Sequence, residues 1–351
     1  MKKENTSILN AKSDFDLNTS NDNPRFSDSV ENLLEEFKDH KTNPFIWSGI
    51  MKGSFGFVYG PPKSGKTIFC ENLALAIASG ESTFFNIPIQ LTRQKTLFIS
   101  MEERIEPRLE RIEKQKKHLK TPLRNNLNLS RGELPNWICC PSEWEILKKS
   151  IAESGATFVV IDSLGRLHKG KIEESDVAKE IAIKLRTLTH ELKITLLVIH
   201  HTPKLNGKPI TLDSLAGSRL LAQEADFTFG INRTQDGIRY LKEVSFRYKS
   251  EDAETVGTFK INENCIIEIG VRISEDSLLK QSDNRYNDIN LQKVFKLIEQ
   301  LTENGKKTVA TQELKDDLVN SGKISSPTFY KHIKTLEGSG KIKKLKKVNI
   351  S

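Results

Sequence analysis

The chain has 351 residues, 36% of them apolar, enough for one large core and a second small unit at roughly 100 to 200 residues per domain. No run of about 18 apolar residues occurs, and the opening MKKENTSILNAKSDFDLNTSNDN has no apolar centre, so neither a membrane contact nor a secretory signal is expected and the predicted location is the cytoplasm. Cys70, Cys139, Cys140 and Cys265 show no C-x-x-C spacing, which argues against a disulfide framework and against structural zinc.

The net charge of +8 is unevenly placed. From Arg285 to the end there are fourteen Lys and Arg against seven Asp and Glu, so the last fifth carries +7 of the +8. Such a concentration fits a polyanionic partner or a solvated basic tail.

Residues 1 to 28 are polar and aperiodic and are expected to be disordered. Residues 29 to 275 then alternate short apolar runs with amphipathic stretches. SFGFVYG (54 to 60), KTLFISM (95 to 101), TFVVIDS (157 to 163), ITLLVIH (194 to 200) and DFTFGIN (226 to 232) predict strands, with helices between them such as TIFCENLALAIAS. Continuous apolar strands separated by helices predict an α/β fold with a mostly parallel sheet covered on both faces. RYLKEVSFRY, TVGTFKIN and CIIEIG follow closely without helices, and predict antiparallel additions at the sheet edge. SEDSLLKQSDNRYNDIN is polar and aperiodic, and residues 276 to 290 are expected to form a linker.

Within this pattern Gly60-Pro61-Pro62-Lys63-Ser64-Gly65-Lys66-Thr67 has the spacing of a phosphate-binding loop between a strand and a helix. Its glycines let backbone N–H groups approach phosphates. Lys66 reaches the β and γ phosphates of ATP, and the Thr67 hydroxyl ligates Mg2+. The run Phe158 to Ile161 delivers Asp162 to a strand end, where it suits the magnesium shell. ISMEER supplies a carboxylate to orient the attacking water, Glu102 or Glu103, while helix N-terminal charge is the other use for either residue. His200, ending the next strand, is a candidate sensor of the γ phosphate or a structural strand-end histidine.

The order GPPKSGKT, ISMEER, FVVIDSLGRLH, VIHHTPK, AGSRLLAQEADFTFGI resembles the RecA-like P-loop ATPase core, in the branch of plasmid RepA-type hexameric helicases and their DnaB-type relatives. The resemblance spans roughly residues 40 to 270. It implies that Lys66 and Thr67 hold nucleotide and magnesium, Glu102 is the catalytic carboxylate, Asp162 the magnesium aspartate and His200 the γ-phosphate sensor. It also implies a homo-oligomer, a hexameric ring in preference to a filament, whose sites are completed by a neighbour's basic residues. Arg247 and Lys249 in EVSFRYKSED match that basic-x-basic pair, and they equally suit an edge strand guarded by charge. By the same resemblance Lys204, Lys208 and Arg219 in the loop after His201 would meet nucleic-acid backbone. A DnaB-type N-terminal helical domain is not recognisable.

LQKVFKLIEQLTENG, TQELKDDLVNSG and SSPTFYKHIKTLEGSG predict three helices, the last opening at Ser326-Pro327, followed by the basic hairpin KIKKLKKVNI. This resembles a winged helix-turn-helix over residues 291 to 351. Thr328, Tyr330, Lys331 and Lys334 would lie on the DNA side of the recognition helix, with Lys341, Lys343 and Lys344 on the wing. A protein-binding winged helix is the alternative. The whole predicts a DNA-associated ATPase, with a nucleotide-controlled assembly switch and an ATP-sensing DNA-binding regulator as rivals.

Overall fold

A computed structural model describes residues 27–36, 38, 44–91, 93–131, 137–172, 174–215, 219–252, 254–303 and 308–343. The chain divides into two units, residues 1–42 and 43–351. The first contains helix α1 (Val30–Glu36), which has no buried residue. The tail expected over 1–28 lies outside the described residues except for its last two.

The second unit opens with the short pair β1 (Phe45–Trp47) and β2 (Ile50–Met51). It continues through β3 (Phe55–Gly60), α2 (Lys66–Ser79), β4 (Thr83–Phe84), β5 (Ile87–Pro88), β6 (Thr96–Ser100), α3 (Ile105–Lys116) and β7 (Leu127–Leu129). Next come α4 (Pro141–Ser154), β8 (Phe158–Asp162), α5 (Ser175–Glu191), β9 (Thr195–His201), α6 (Arg219–Glu224) and β10 (Phe227–Arg233). Strands β11 (Arg239–Phe246), β12 (Thr255–Ile261) and β13 (Ile267–Ser274) precede the helices α7 (Glu275–Glu303), α8 (Thr311–Lys315) and α9 (Ser326–Gly338).

Nine strands form one sheet in the order β13-β12-β11-β10-β3-β9-β8-β6-β7. The six from β10 to β7 are parallel, and β11, β12 and β13 extend the edge antiparallel. The architecture is the one expected of a RecA-like P-loop fold. Side chains alternate across it: Phe55, Phe57 and Tyr59 enter the core beneath α4 and α5, while Val58 enters the core beneath α2. Residues of α2 are buried almost all round, as in a helix pressed between a sheet and its flanking elements.

The polar run 276–290, expected as a linker, is helical. It is the first half of the 29-residue α7, and Leu278 and Leu279 pack into the core beneath α4 and α5. Its polar residues also have partners: Ser282 and Arg285 both hydrogen-bond Asp236 in the β10–β11 turn. The second half of α7 gives Val294 to a separate core with Leu314, Leu318, Ile324, Phe329 and Leu336. The predicted helix trio is therefore present. Its third helix is capped by Ser325 rather than Ser326, with the Ser325 hydroxyl accepting from the Thr328 N–H. Most of the basic hairpin, including Lys344, lies outside the described residues.

Candidate functional site

The phosphate loop leaves β3 at Gly60 and enters α2 at Lys66. A Cβ on Gly60 would lie 1.8 Å from the Ile231 carbonyl oxygen, and Gly65 has φ of 101° at the helix N-terminus. Glycine is required at both positions by contact and by conformation. Pro61 and Pro62 carry no N–H, so they shape the loop while donors come from the residues after them. The buried Lys66 ammonium donates to the carbonyls of Gly60 (2.9 Å) and Pro61 (2.8 Å), and burial lowers its pKa to about 8. The cation is thereby folded back over its own loop, near His200, whose imidazole feels its charge.

Parallel registration gathers the other groups. Ser100 of β6 lies opposite Asp162 of β8, which lies opposite Ile199 of β9, so three neighbouring strands end at one edge. The Thr67 hydroxyl donates to Asp162 Oδ2 at 2.7 Å. Burial raises the Asp162 pKa, with the Thr67 bond opposing, and its Oδ1 is buried with no partner. A hydroxyl and a carboxylate with an unused, buried oxygen fit magnesium, a cation that prefers oxygen ligands. Glu102, Asp162 and His201 also bring one ligand-type atom each within 4.8 Å of one another.

Glu102 and Glu103 have different partners. Glu102 accepts from the Ser163 hydroxyl and has His201 Nε2 at 3.5 Å. The His201 contact, and then the Ser163 bond, hold the Glu102 pKa down to about 2 against the effect of burial. Glu103 turns away, with both its oxygens accepting from Arg111 at 2.8 and 2.6 Å. Arg111 also grips both oxygens of Glu71, a fully buried carboxylate on α2, which Arg108 meets from 3.4 Å while stacking on Phe98. This network fastens α3 to the phosphate-loop helix.

His200 is buried, with Nε2 unpartnered, and burial lowers its pKa to about 3. The side chain that reaches Glu102 belongs to His201 instead. Sequence reasoning missed His201 and Ser163, although the doubled histidine at a strand end was a signal available for the first.

The remaining candidates do not join this cluster within the chain. Arg247 and Lys249 follow β11 at the edge where β3 and β10 begin, since the Arg247 N–H donates to the Asp226 carbonyl and the Asp226 N–H to that of Phe55. The six residues of β3 put that edge about 17 Å from Gly60. Both have partners: Arg247 lies 3.6 Å from Asp226 and donates to the Gln223 carbonyl, and Lys249 binds Glu243 at 3.1 Å. Lys204 and Lys208 are exposed in the loop after β9, while Ile210 of that loop is buried and its N–H donates to Glu275. Arg219 begins α6, and the Ala216 to Ser218 stretch before it lies outside the described residues. On α9, Tyr330, Lys331 and Lys334 are exposed, Thr328 is half-buried, and Lys331 donates to Asn287 of α7. Lys341 and Lys343 are exposed, with the Lys341 ammonium 5.0 Å from the Phe295 ring centre.

Residues 20–207, more than half of the chain, match the AAA domain family. The chain belongs to that family. This AAA domain protein carries a phosphate loop between β3 and α2 on a mixed, mostly parallel sheet, and P-loop ATPases use nucleotide with Mg2+. No curated protein matches it in sequence. Similar solved structures include a DnaB-like replicative helicase studied with primase, at 15% identity and TM-score 0.49, covering 68% of this chain and 65% of that one. A second, an ATPase domain solved on its own, is 16% identical with TM-score 0.49, covering 68% and 96%. A KaiC-like protein of Pyrococcus horikoshii OT3 is 18% identical with TM-score 0.44, covering 64% and 94%. This chain thus spans under two thirds of the first helicase's length. Among the described residues, no helix is long and apolar enough to cross a membrane.

Proposed function

We propose that this AAA domain protein is a RepA-type motor that couples ATP hydrolysis in an oligomer to movement along, or remodelling of, DNA. The observation that carries the reading is the continuity of β9. The strand ends at His200 and His201 beside Asp162 and Glu102, and runs straight into the loop exposing Lys204 and Lys208. A change at the γ phosphate is one strand-end away from a basic surface suited to phosphate backbone.

In this reading Lys66 leaves its two carbonyls for the β and γ phosphates. Thr67 and Asp162 hold the magnesium ion, which supplies neutralisation of charge on the phosphate oxygens. Glu102 stays ionised at neutral pH and accepts from the attacking water, orienting it toward the γ phosphorus. Neutral His200 offers its free ring nitrogen to the γ phosphate. Glu275 anchors the DNA-facing loop, taking hydrogen bonds from the Ile210 N–H and the Tyr240 hydroxyl at 2.9 Å and pairing with Lys242.

Arg247 and Lys249 act in a neighbour's site, which their distance from the chain's own phosphate loop supports. In the same reading residues 291–351 act as a winged helix-turn-helix that anchors the protein on DNA. Arg247→Ala and Lys66→Ala subunits, each inactive alone, test the shared site when mixed. Partial recovery of ATPase activity supports it, and no recovery in a mixture that demonstrably co-assembles rejects it.

A further inference from the structure

One cation beside the phosphate loop has no counter-charge. Arg239 opens β11, the antiparallel strand that starts at the nucleotide edge of the sheet, where it lies opposite Arg233 of β10. Its Cδ and Nε sit 3.2 and 3.3 Å from the position that a Cβ on Gly65 would take, with Ile261 Cδ1 at 2.9 Å on the same side. The Nε is buried and donates to nothing, and no carboxylate pairs with either arginine among the described residues. Among the described residues the Arg233 guanidinium donates to the Gly237 carbonyl alone.

Two like charges held together at a loop built for phosphates, without an acid, leave an electrostatic vacancy that an anion would fill. Burial, and then Arg233, lower the Arg239 pKa, as expected of a guanidinium awaiting a negative partner. The arginines are pre-positioned as well. Asp236 in the turn between them accepts from Thr234, Ser282 and Arg285, which clamps the hairpin to α7.

We propose that Arg239 is a nucleotide-binding residue supplied by the chain's own β11, its guanidinium donating to the phosphate chain from the Gly65 side, with Arg233 raising the local positive potential. The role differs from that of Arg247, which lies at the opposite sheet edge. It rests on the reading of Gly60 to Thr67 as the nucleotide site. A fork of N–H donors suits phosphate oxygens better than a point charge does, and a charge-assisted contact of this kind is worth about tenfold or more in affinity.

The test is calorimetric titration of the full chain with Mg-ADP for the wild type and for Lys66→Ala, Arg239→Ala, Arg239→Gln and Arg239→Lys, with each melting temperature recorded. Arg239→Ala and Arg239→Gln are expected to bind about tenfold or more weakly, Arg239→Lys to recover much of the loss, and the deficit to shrink as salt is raised. Wild-type affinity in Arg239→Ala, or an Arg239→Lys as weak as the alanine variant, overturns the phosphate contact while the nucleotide site stands. A wild type that binds no ADP, or a Lys66→Ala that binds it equally well, overturns the nucleotide-site reading and this inference with it.

Discussion

The Thr67 hydroxyl donates to Asp162 Oδ2 across 2.7 Å, joining the first turn of the phosphate-loop helix to a strand end 95 residues later. The bond fixes two oxygen-bearing side chains before any cation arrives. It also leaves Asp162 Oδ1 buried without a partner, a costly state unless something binds there. Asp162→Asn should therefore abolish the gain in ADP affinity on adding magnesium, while affinity in EDTA stays near wild type. Titration with and without the metal checks it, and a preserved magnesium gain contradicts the assignment.

Two adjacent glutamates with different partners should fail differently. Glu102→Gln is expected to keep ATP binding and lower kcat by about 10²- to 10⁴-fold, the range of an acid–base contribution. Glu103→Gln should hold kcat within a few-fold and instead lower the melting temperature, since it loosens Arg111. Single-turnover hydrolysis alongside melting curves separates them, and the reverse pattern transfers the role to Glu103.

Glu71 is fully buried between Arg108 and Arg111. Glu71→Ala removes the carboxylate and leaves Arg108 buried without compensation, for an expected loss of about 3–5 kcal/mol in unfolding free energy. Urea denaturation measures it, and a loss under about 1 kcal/mol would show that water or rearrangement replaces the pair.

The parallel sheet was legible because runs such as Phe158 to Ile161 are apolar throughout, which only a strand covered on both faces needs. The phosphate loop was legible because its spacing is its chemistry. By contrast, which of His200 and His201 reaches Glu102 depends on the pleat at the last residues of β9, where both are histidine and no apolar alternation marks the face. The different partners of Glu102 and Glu103 depend on Arg111, eight residues beyond Glu103 in the first turns of α3. Arg239 was illegible because its partner loop lies far back in the chain and only the antiparallel return of β11 joins them. The polar residues of 276–290 concealed a helix whose Leu278 and Leu279 form too short an apolar stripe to declare a period.

His200 is buried and neutral, with its pKa lowered to about 3 from an ordinary 6.5. Between these values the unfolded chain binds a proton that the folded chain does not, so stability should be full above pH 6.5 and decline as pH falls toward 3. His200→Asn should flatten part of that decline. Denaturation midpoints from about pH 7 to about pH 4 compare the two proteins, and equal slopes would mean that His200 is not held neutral.

The motor reading meets its most direct test in the ATPase rate of the full chain with and without single-stranded and duplex DNA, followed in parallel with strand displacement. A several-fold rise with DNA that is lost in Lys204→Ala/Lys208→Ala, whose basal rate is unchanged, is the predicted result. A rate indifferent to either form of DNA would contradict coupling and leave an ATPase whose work is directed elsewhere.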